Sequence, residues 1–259
     1  MKDLSVKQEA IAFLQGKEAK NQTVDWKEVI TKFDIRPKEI FSNVSKYTNT
    51  YFVGEKKVKE CCVYSISNGN AWDCPAYCRN ACNIKCYGFK GNYVRYSSPK
   101  INKEFQRLVV KFAPVEWLFE VSRHLATNTR MKKENRLRFI RLNEVSDFDQ
   151  PMLDKAIDWA DMLHSDAKTR HTRMFAYTKQ NGAVDFSQVG EVPNFCINAS
   201  QTINPLYEGG NCFWCVSKEF YDSVEETEQI RKCNCDIACV DACGICYEDN
   251  DCITVEKFH

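Results

Sequence analysis

Four cysteines recur at every fourth residue in the stretch "CPAYCRNACNIKC", as Cys74, Cys78, Cys82 and Cys86. On a straight α-helix the first and the last of them would lie about 18 Å apart along the axis. That separation is too large for one iron–sulfur cubane. The spacing therefore predicts either that the chain folds back after Pro75 or that three of the four thiols share a cluster.

A second dense cysteine region lies near the end of the sequence. With the first region it accounts for twelve of the fifteen cysteines, and its members are Cys212, Cys215, Cys233, Cys235, Cys239, Cys243, Cys246 and Cys252. Repeated short spacings are typical of iron–sulfur ligands, whereas a zinc ribbon uses two separated pairs, as "CFWC" and a later pair could provide. We expect two or three 4Fe–4S clusters on these thiolates, with zinc as the alternative metal.

The other three cysteines lie in probable strands. Cys61 and Cys62 belong to "VKECCVYSIS" and Cys196 belongs to "FCINAS". A free cysteine packs as a small hydrophobic side chain. We expect these three to be buried for that reason.

Cysteine usage and hydropathy together predict a cytoplasmic protein that has no membrane partner. The first twenty residues lack the apolar core of a signal peptide, and no apolar stretch approaches membrane-spanning length. Thiols stay reduced in the cytosol, and an odd number of cysteines does not suit a pure disulfide framework. Metal ligation is therefore the favoured use of the cysteines.

Charge is balanced overall but unevenly placed. The net charge is +1, yet residues 123–141 carry seven lysines or arginines against Glu134 alone, whereas residues 219–252 are strongly acidic. Such a basic run is typical of a solvated helix face. Alternatively, it is a patch that binds phosphate or nucleic acid.

Residues 1–58 are predicted to form a small helical unit. Ser5 and Gln8 fit one capping box and Asp25 and Glu28 a second, and each precedes apolar residues at helical spacing. A third helix is expected over residues 37–47, followed by the hairpin "TYFVGEKKVK". Helices followed by a basic hairpin resemble a winged helix-turn-helix, although a plain helical accessory unit fits the same pattern.

Residues 59–259 are predicted to form an α/β domain whose segment 205–259 binds clusters. Strands are expected at 136–142, 172–178 and 195–200, with a helix at 151–164 between the first two and helical sequence, broken before Pro114, upstream. This alternation predicts parallel pairing with right-handed crossovers. The fold class is therefore a partial barrel or an open parallel sheet.

The active chemistry of such a sheet belongs at the carboxyl ends of its strands. We expect Asp147 and Lys179 there as a catalytic carboxylate and cation. The polar residues that follow or end the predicted strands are candidate substrate ligands, namely Asn143, Glu144, Tyr177, Thr178, Ser200 and Gln201.

The stretch "VYSISNGNAWDCPAYCRNACNIKCYGFKG" resembles the bacteriophage gene 88 protein family, found on phages and mobile elements. The match consists of Cys74-Pro75, Cys78, Cys82 and Cys86-Tyr87. "RLNEVSDFDQPMLDKAIDWADML", "MFAYTK" and the cysteines from Cys239 to Cys246 are similar to later parts of the family, so that the resemblance covers about residues 60–259.

This family in turn looks distantly like radical SAM proteins. The resemblance implies an enzyme on a partial barrel in which three cysteines hold a cubane and the fourth iron binds S-adenosylmethionine.

Three functions are consistent with these patterns. The first is a multi-cluster iron–sulfur protein, with or without catalytic activity, on a radical-SAM-like scaffold. The second is a nucleic-acid-binding protein whose clusters, iron–sulfur or zinc, are structural or redox-sensing. The third is an electron carrier that passes electrons to or from a partner enzyme.

Overall fold

The computed structural model describes residues 4–35, 45–53, 56–66, 97–117, 139–143, 147–167, 169–170, 172–180, 182–233 and 251–257. Several predicted features lie outside these ranges. They are Cys74–Cys86, Glu144, the cysteines from Cys235 to Cys246, and the basic run before Phe139.

The helices are α1 (Leu4–Ala19), α2 (Trp26–Phe33), α3 (Ser97–Phe112), α4 (Gln150–Ser165) and α5 (Lys218–Ser223), with a 3₁₀ turn at Ser187–Glu191. Asp25 caps α2 by accepting the Lys27 N–H, as its sequence predicts. The capping box predicted at Ser5 is wrong, because Ser5 lies inside α1. The break predicted before Pro114 is confirmed, since α3 ends at Phe112.

The strands are β1 (Ser45–Val53), β2 (Lys56–Ile66), β3 (Phe139–Leu142), β4 (Arg173–Thr178), β5 (Phe195–Ser200), β6 (Asn211–Val216), β7 (Ile230–Lys232) and β8 (Ile253–Lys257). They form one sheet in the order β1-β2-β3-β4-β5-β6-β8-β7. The β1–β2 pairing is antiparallel and the other six pairings are parallel. The α/β class and the open parallel sheet are confirmed, since the described strands form a sheet in which the edge strands β1 and β7 do not pair with each other to close a barrel.

The helix predicted over residues 37–47 is wrong at its end, because Ser45 to Tyr47 belong to β1. The hairpin that follows is confirmed, but β2 also pairs with β3 and so belongs to the central sheet. The winged-helix interpretation and the boundary between residues 58 and 59, which β2 spans, stay predictions.

The N-terminal helices share one apolar core with the sheet. Leu14 of α1 and Leu108 of α3 are fully buried in the cluster that also contains Trp159 of α4. Burial of each leucine contributes about 1.5–3 kcal/mol. On the surface of the same α1–α3 contact, Arg107 donates two hydrogen bonds of 2.7 Å to the Glu18 carboxylate.

The sheet has two chemically different faces, because side chains alternate along each strand. The core face packs against the helices through Ile140, Leu142, Met174, Ala176, Phe195 and Ile197. The opposite face, here called the polar face, contributes no residue to that cluster. Strand register places on it Arg141, Phe175, Tyr177, Cys196, Asn198, Ser200, Asn211, Phe213, Cys215, Thr254 and Glu256.

Candidate functional site

The polar face buries polar side chains where a structural sheet would bury apolar ones. Asn198, Asn211 and Thr254 are fully buried, and each occupies the middle or the start of its strand. Burial of a polar group costs free energy unless the group is hydrogen-bonded. A face built in this way is more typical of a binding site than of a stabilising core.

An aromatic row crosses this face from β3 to β6. The Arg141 guanidinium lies 5.1 Å from the centroid of the Tyr177 ring, within the range of a cation–π contact. The Tyr177 ring in turn meets Phe213 edge to face at a centroid distance of 4.7 Å. The row gives the face an aromatic surface with a cation at one end.

Two thiols of the polar face are linked through one amide. The Cys196 thiol accepts a hydrogen bond from Asn211 Nδ2 at 3.5 Å, and the Cys252 thiol donates to Asn211 Oδ1 at 3.9 Å. The Cys196 thiol also accepts a hydrogen bond from Asn198 Nδ2 at 3.9 Å. Cys196 is buried as predicted, but in a polar hydrogen-bonded environment rather than as a purely apolar side chain.

Cys212 and Cys215 of "CFWC" are both on β6 and point to opposite faces of the sheet, because they are three positions apart and side chains alternate along a strand. They therefore cannot bind one metal ion together. Burial raises the pKa of the Cys212 thiol, and the negative charge of Asp251 raises it further. No three histidine, cysteine, aspartate or glutamate side chains within the described ranges lie close enough to hold a metal. The predicted ligand sets thus depend on the cysteines outside those ranges.

Cys215 lies on the polar face close to the carboxyl edge. Burial raises its pKa and Glu256 raises it further, whereas the Lys179 ammonium lowers it. Strand register agrees with this effect, because Thr178 pairs with Ala199 and Ser200 with Phe213, so Lys179 follows β4 at the level of Ser200 and Phe213.

Asp147 and Lys179 are neighbours, but the contact is between the Asp147 carboxylate and the backbone N–H of Lys179. Asp147 accepts the Lys179 N–H at 2.9 Å, the Thr178 hydroxyl at 2.6 Å and the Phe148 N–H at 2.8 Å. The buried carboxylate therefore ties the end of β4 to the segment before α4. Its predicted catalytic role stays a prediction.

The other predicted ligands divide into two groups. Tyr177 and Ser200 lie on the polar face, whereas Thr178 points away from it to Asp147. Asn143 and Gln201 directly follow β3 and β5 with φ angles of 52° and 63°. This left-handed conformation is uncommon for residues other than glycine, and it ends both strands at the same edge.

Sequence reasoning missed Arg141, Asn198, Asn211, Phe213 and Thr254. Arg141 was assigned to a basic run, and none of the others lies at the carboxyl end of its strand. A signal was available for Asn198, because one asparagine in the otherwise apolar strand "FCINAS" is unusual for a strand buried on both faces.

Among the described residues, the fold and this face define an α/β protein with helices packed on the core face and a polar, thiol-bearing sheet face that ends at the carboxyl edge of the parallel strands. The chain belongs to the family of gene product 88, whose family model matches residues 38–222. The resemblance seen in the sequence is thereby confirmed. The match begins before residue 60 and ends before Cys233, so the resemblance seen in the last cysteines lies outside it.

No curated protein and no solved structure matches the chain. None of the helices within the described ranges has the length and hydropathy needed to cross a membrane. The cytoplasmic location and the nucleic-acid and electron-transfer partners stay predictions.

Proposed function

We propose that this gene product 88 protein is a multi-cluster iron–sulfur protein that uses the polar face to hold a substrate beside its clusters. The observation that carries the proposal is the shared direction of the strands. β2 and β7 run parallel to every strand between them, so the chain leaves both strands at the same edge. Each exit leads into a cysteine-rich segment of the sequence.

The polar face meets that edge. Ser200, Cys215 and Lys179 occupy the ends of β5, β6 and β4, and ligands of open α/β sheets bind outside the carboxyl ends of the strands. Clusters held by Cys74 to Cys86 and by the C-terminal cysteines would enter this arrangement from its two sides. Thiolate ligands favour iron–sulfur clusters or zinc over harder metals.

The five cysteines whose side chains are described take part in no disulfide, which is consistent with a set of reduced thiols as possible metal ligands. S-adenosylmethionine is a candidate ligand of an open iron, as the radical SAM resemblance implies. When bound to such an iron, it would supply radical chemistry to a substrate on the polar face.

The test is the metal content of the full chain purified without oxygen. We expect about eight to twelve irons per chain with equal sulfide. The double variant Cys78→Ala/Cys82→Ala should lose about four of them, whereas the matched variant Cys62→Ala should retain them all. Zinc in place of iron would contradict the proposal.

Electron paramagnetic resonance of the dithionite-reduced protein separates catalysis from electron transfer. A spectrum that changes when S-adenosylmethionine is added indicates an open iron and supports an enzyme. An unchanged spectrum indicates clusters with four protein ligands, and an electron carrier would then be favoured.

A further inference from the structure

A half-buried cation stands at the carboxyl edge of the polar face. The ammonium of Lys179 forms no hydrogen bond or ion pair with any residue that the structure describes, because the only hydrogen bond there is from its backbone N–H. Its positive charge lowers the pKa of the Cys215 thiol. A cation that is partly removed from water gains stability from an anion placed beside it.

Two buried hydroxyl groups flank the aromatic row at the same level. Ser200 and Thr254 lie in register with Phe213, one on each neighbouring strand, and they are 5% and 0% exposed. Within the described part of the chain the fully buried Thr254 hydroxyl has no hydrogen-bond partner. Buried hydroxyls are normally paired, with protein, with water or with a ligand.

The carboxylates near this point do not neutralise Lys179. Asp147 uses its oxygens for Thr178 and for two backbone N–H groups. Glu256 lies one step further along β8, in register with Cys215, and acts on that thiol. Arg141 lies over the Tyr177 ring, and Lys179 follows Tyr177 by two residues after the end of β4, so that two cationic residues belong to the Tyr177 end of the aromatic row.

We propose that the polar face binds a small organic oxyanion that carries a flat apolar group. Lys179 receives the anionic oxygens, the Ser200 and Thr254 hydroxyls donate to the same ligand, and its flat group packs on Tyr177 and Phe213. This inference rests on the proposed function for the place of the substrate, and it adds the substrate's chemical class. A carboxylate and a phosphate monoester both fit these donors.

Calorimetric titration of the full chain, purified without oxygen, tests the site with three probes that share a phenyl ring. They are benzoate, phenyl phosphate and benzamide, which is uncharged. We expect one of the two anions to bind with millimolar affinity and at least about tenfold more tightly than benzamide, because a charged hydrogen bond is worth about a factor of ten or more. The tighter anion identifies a carboxylate or a phosphate ligand.

Variants locate the anion. Lys179→Met should weaken binding of the preferred anion about tenfold and leave benzamide unchanged, whereas Lys155→Met, on the exposed side of α4, should change neither. Thr254→Val, which conserves shape, should weaken the same anion severalfold. Equal binding of anion and benzamide to the unaltered chain would overturn the proposal, and that comparison needs no variant to fold.

The outcome is separable from that of the proposed function. Anion binding to a chain that contains zinc or no metal would support this site and contradict the iron–sulfur proposal. Full iron content with no anion binding at 50 mM probe would retain the clusters and overturn the site. An anion that binds equally well to Lys179→Met would also overturn it.

Discussion

The carboxylate of Asp147 accepts the backbone N–H of Lys179 at 2.9 Å, across the gap between the end of β4 and the segment before α4. The same side chain accepts the Thr178 hydroxyl and the Phe148 N–H. One buried group therefore fixes where β4 ends and how Lys179 leaves the sheet. Loss of this contact would disturb both the fold and the proposed anion site.

Replacement Asp147→Asn should destabilise the protein by about 2–3 kcal/mol. The amide keeps the shape, but it turns one acceptor into a donor that faces a buried N–H or hydroxyl donor, so that a buried group loses its partner. Urea unfolding followed by circular dichroism measures the change. The control is Asp158→Asn on the exposed side of α4, which should stay within about 0.5 kcal/mol of the parent.

Replacement Glu18→Gln should remove a pH-dependent part of the stability. The hydrogen bond from Arg107, helped by Lys111, lowers the pKa of Glu18 from 4.5 to about 2. Because the folded-state pKa is the lower one, the stabilisation is present above about pH 4.5 and is lost as the pH falls towards 2. Its size is about 1 kcal/mol, since the pair is partly exposed to solvent.

Unfolding midpoints of the parent and of Glu18→Gln should therefore differ at pH 6 and converge near pH 2. Glu9→Gln, at an exposed position of the same helix, provides the comparison. A difference that persists unchanged at pH 2 would indicate that the glutamine acts through packing and not through charge.

Replacement Leu14→Ala should cost about 2–5 kcal/mol and lower the stability of the whole chain in one transition. Leu14 is fully buried in the cluster that contains residues of α3 and α4. Unfolding monitored by both tryptophan fluorescence and circular dichroism reports on cooperativity. Two separated transitions would instead favour residues 1–58 as an independent unit. Leu4→Ala, at a 38% exposed position, is the control.

Two glycine-to-alanine replacements should have opposite signs. At Gly16 in α1 an added Cβ meets nothing within 4 Å, so Gly16→Ala should stabilise by about 0.5–1 kcal/mol. At Gly210 the Cβ would lie 3.1 Å from the Tyr207 ring and from its carbonyl oxygen. Gly210→Ala should therefore destabilise by about 1–3 kcal/mol. Thermal unfolding of both variants measures the contrast.

The sequence predicted those elements whose apolar pattern matches their burial. Helix α4 was recognised from Pro151 and its apolar spacing, and β4 and β5 were recognised as apolar runs bounded by polar residues. These segments bury their side chains in the way their composition indicates. The local spacing of apolar residues was sufficient to predict these three elements, because that spacing matches the burial of their side chains.

The C-terminal strands were missed for a different reason. "NCFWCV" was interpreted as a metal motif because of Cys212 and Cys215, although it forms β6. Short β7 carries two charges, Arg231 and Lys232, and so offers little apolar signal. Their pairing with β8 is set by residues distant in sequence, which no local window contains.

The site was predicted only where residues end strands. Tyr177 and Ser200 were identified because they stand near the carboxyl ends of β4 and β5. Asn211 and Thr254 lie at the starts of their strands, far from the carboxyl ends, and their face is fixed by a register that becomes known only when the strands pair. A sequence shows that such residues are polar, but not that they share a surface.

The strand order has a consequence for the sequence of folding. β7 is synthesised before β8, yet among the described strands its neighbour in the sheet is β8 alone, which inserts between β6 and β7. A nascent chain that lacks residues 253–257 therefore has an open edge at β6 and a detached β7. We expect this non-local pairing to form late in folding, because its loop-closure entropy opposes it. Thr254 joins Ser200 and Phe213 only in that step, so a nascent chain that lacks β8 should also lack the complete proposed anion site.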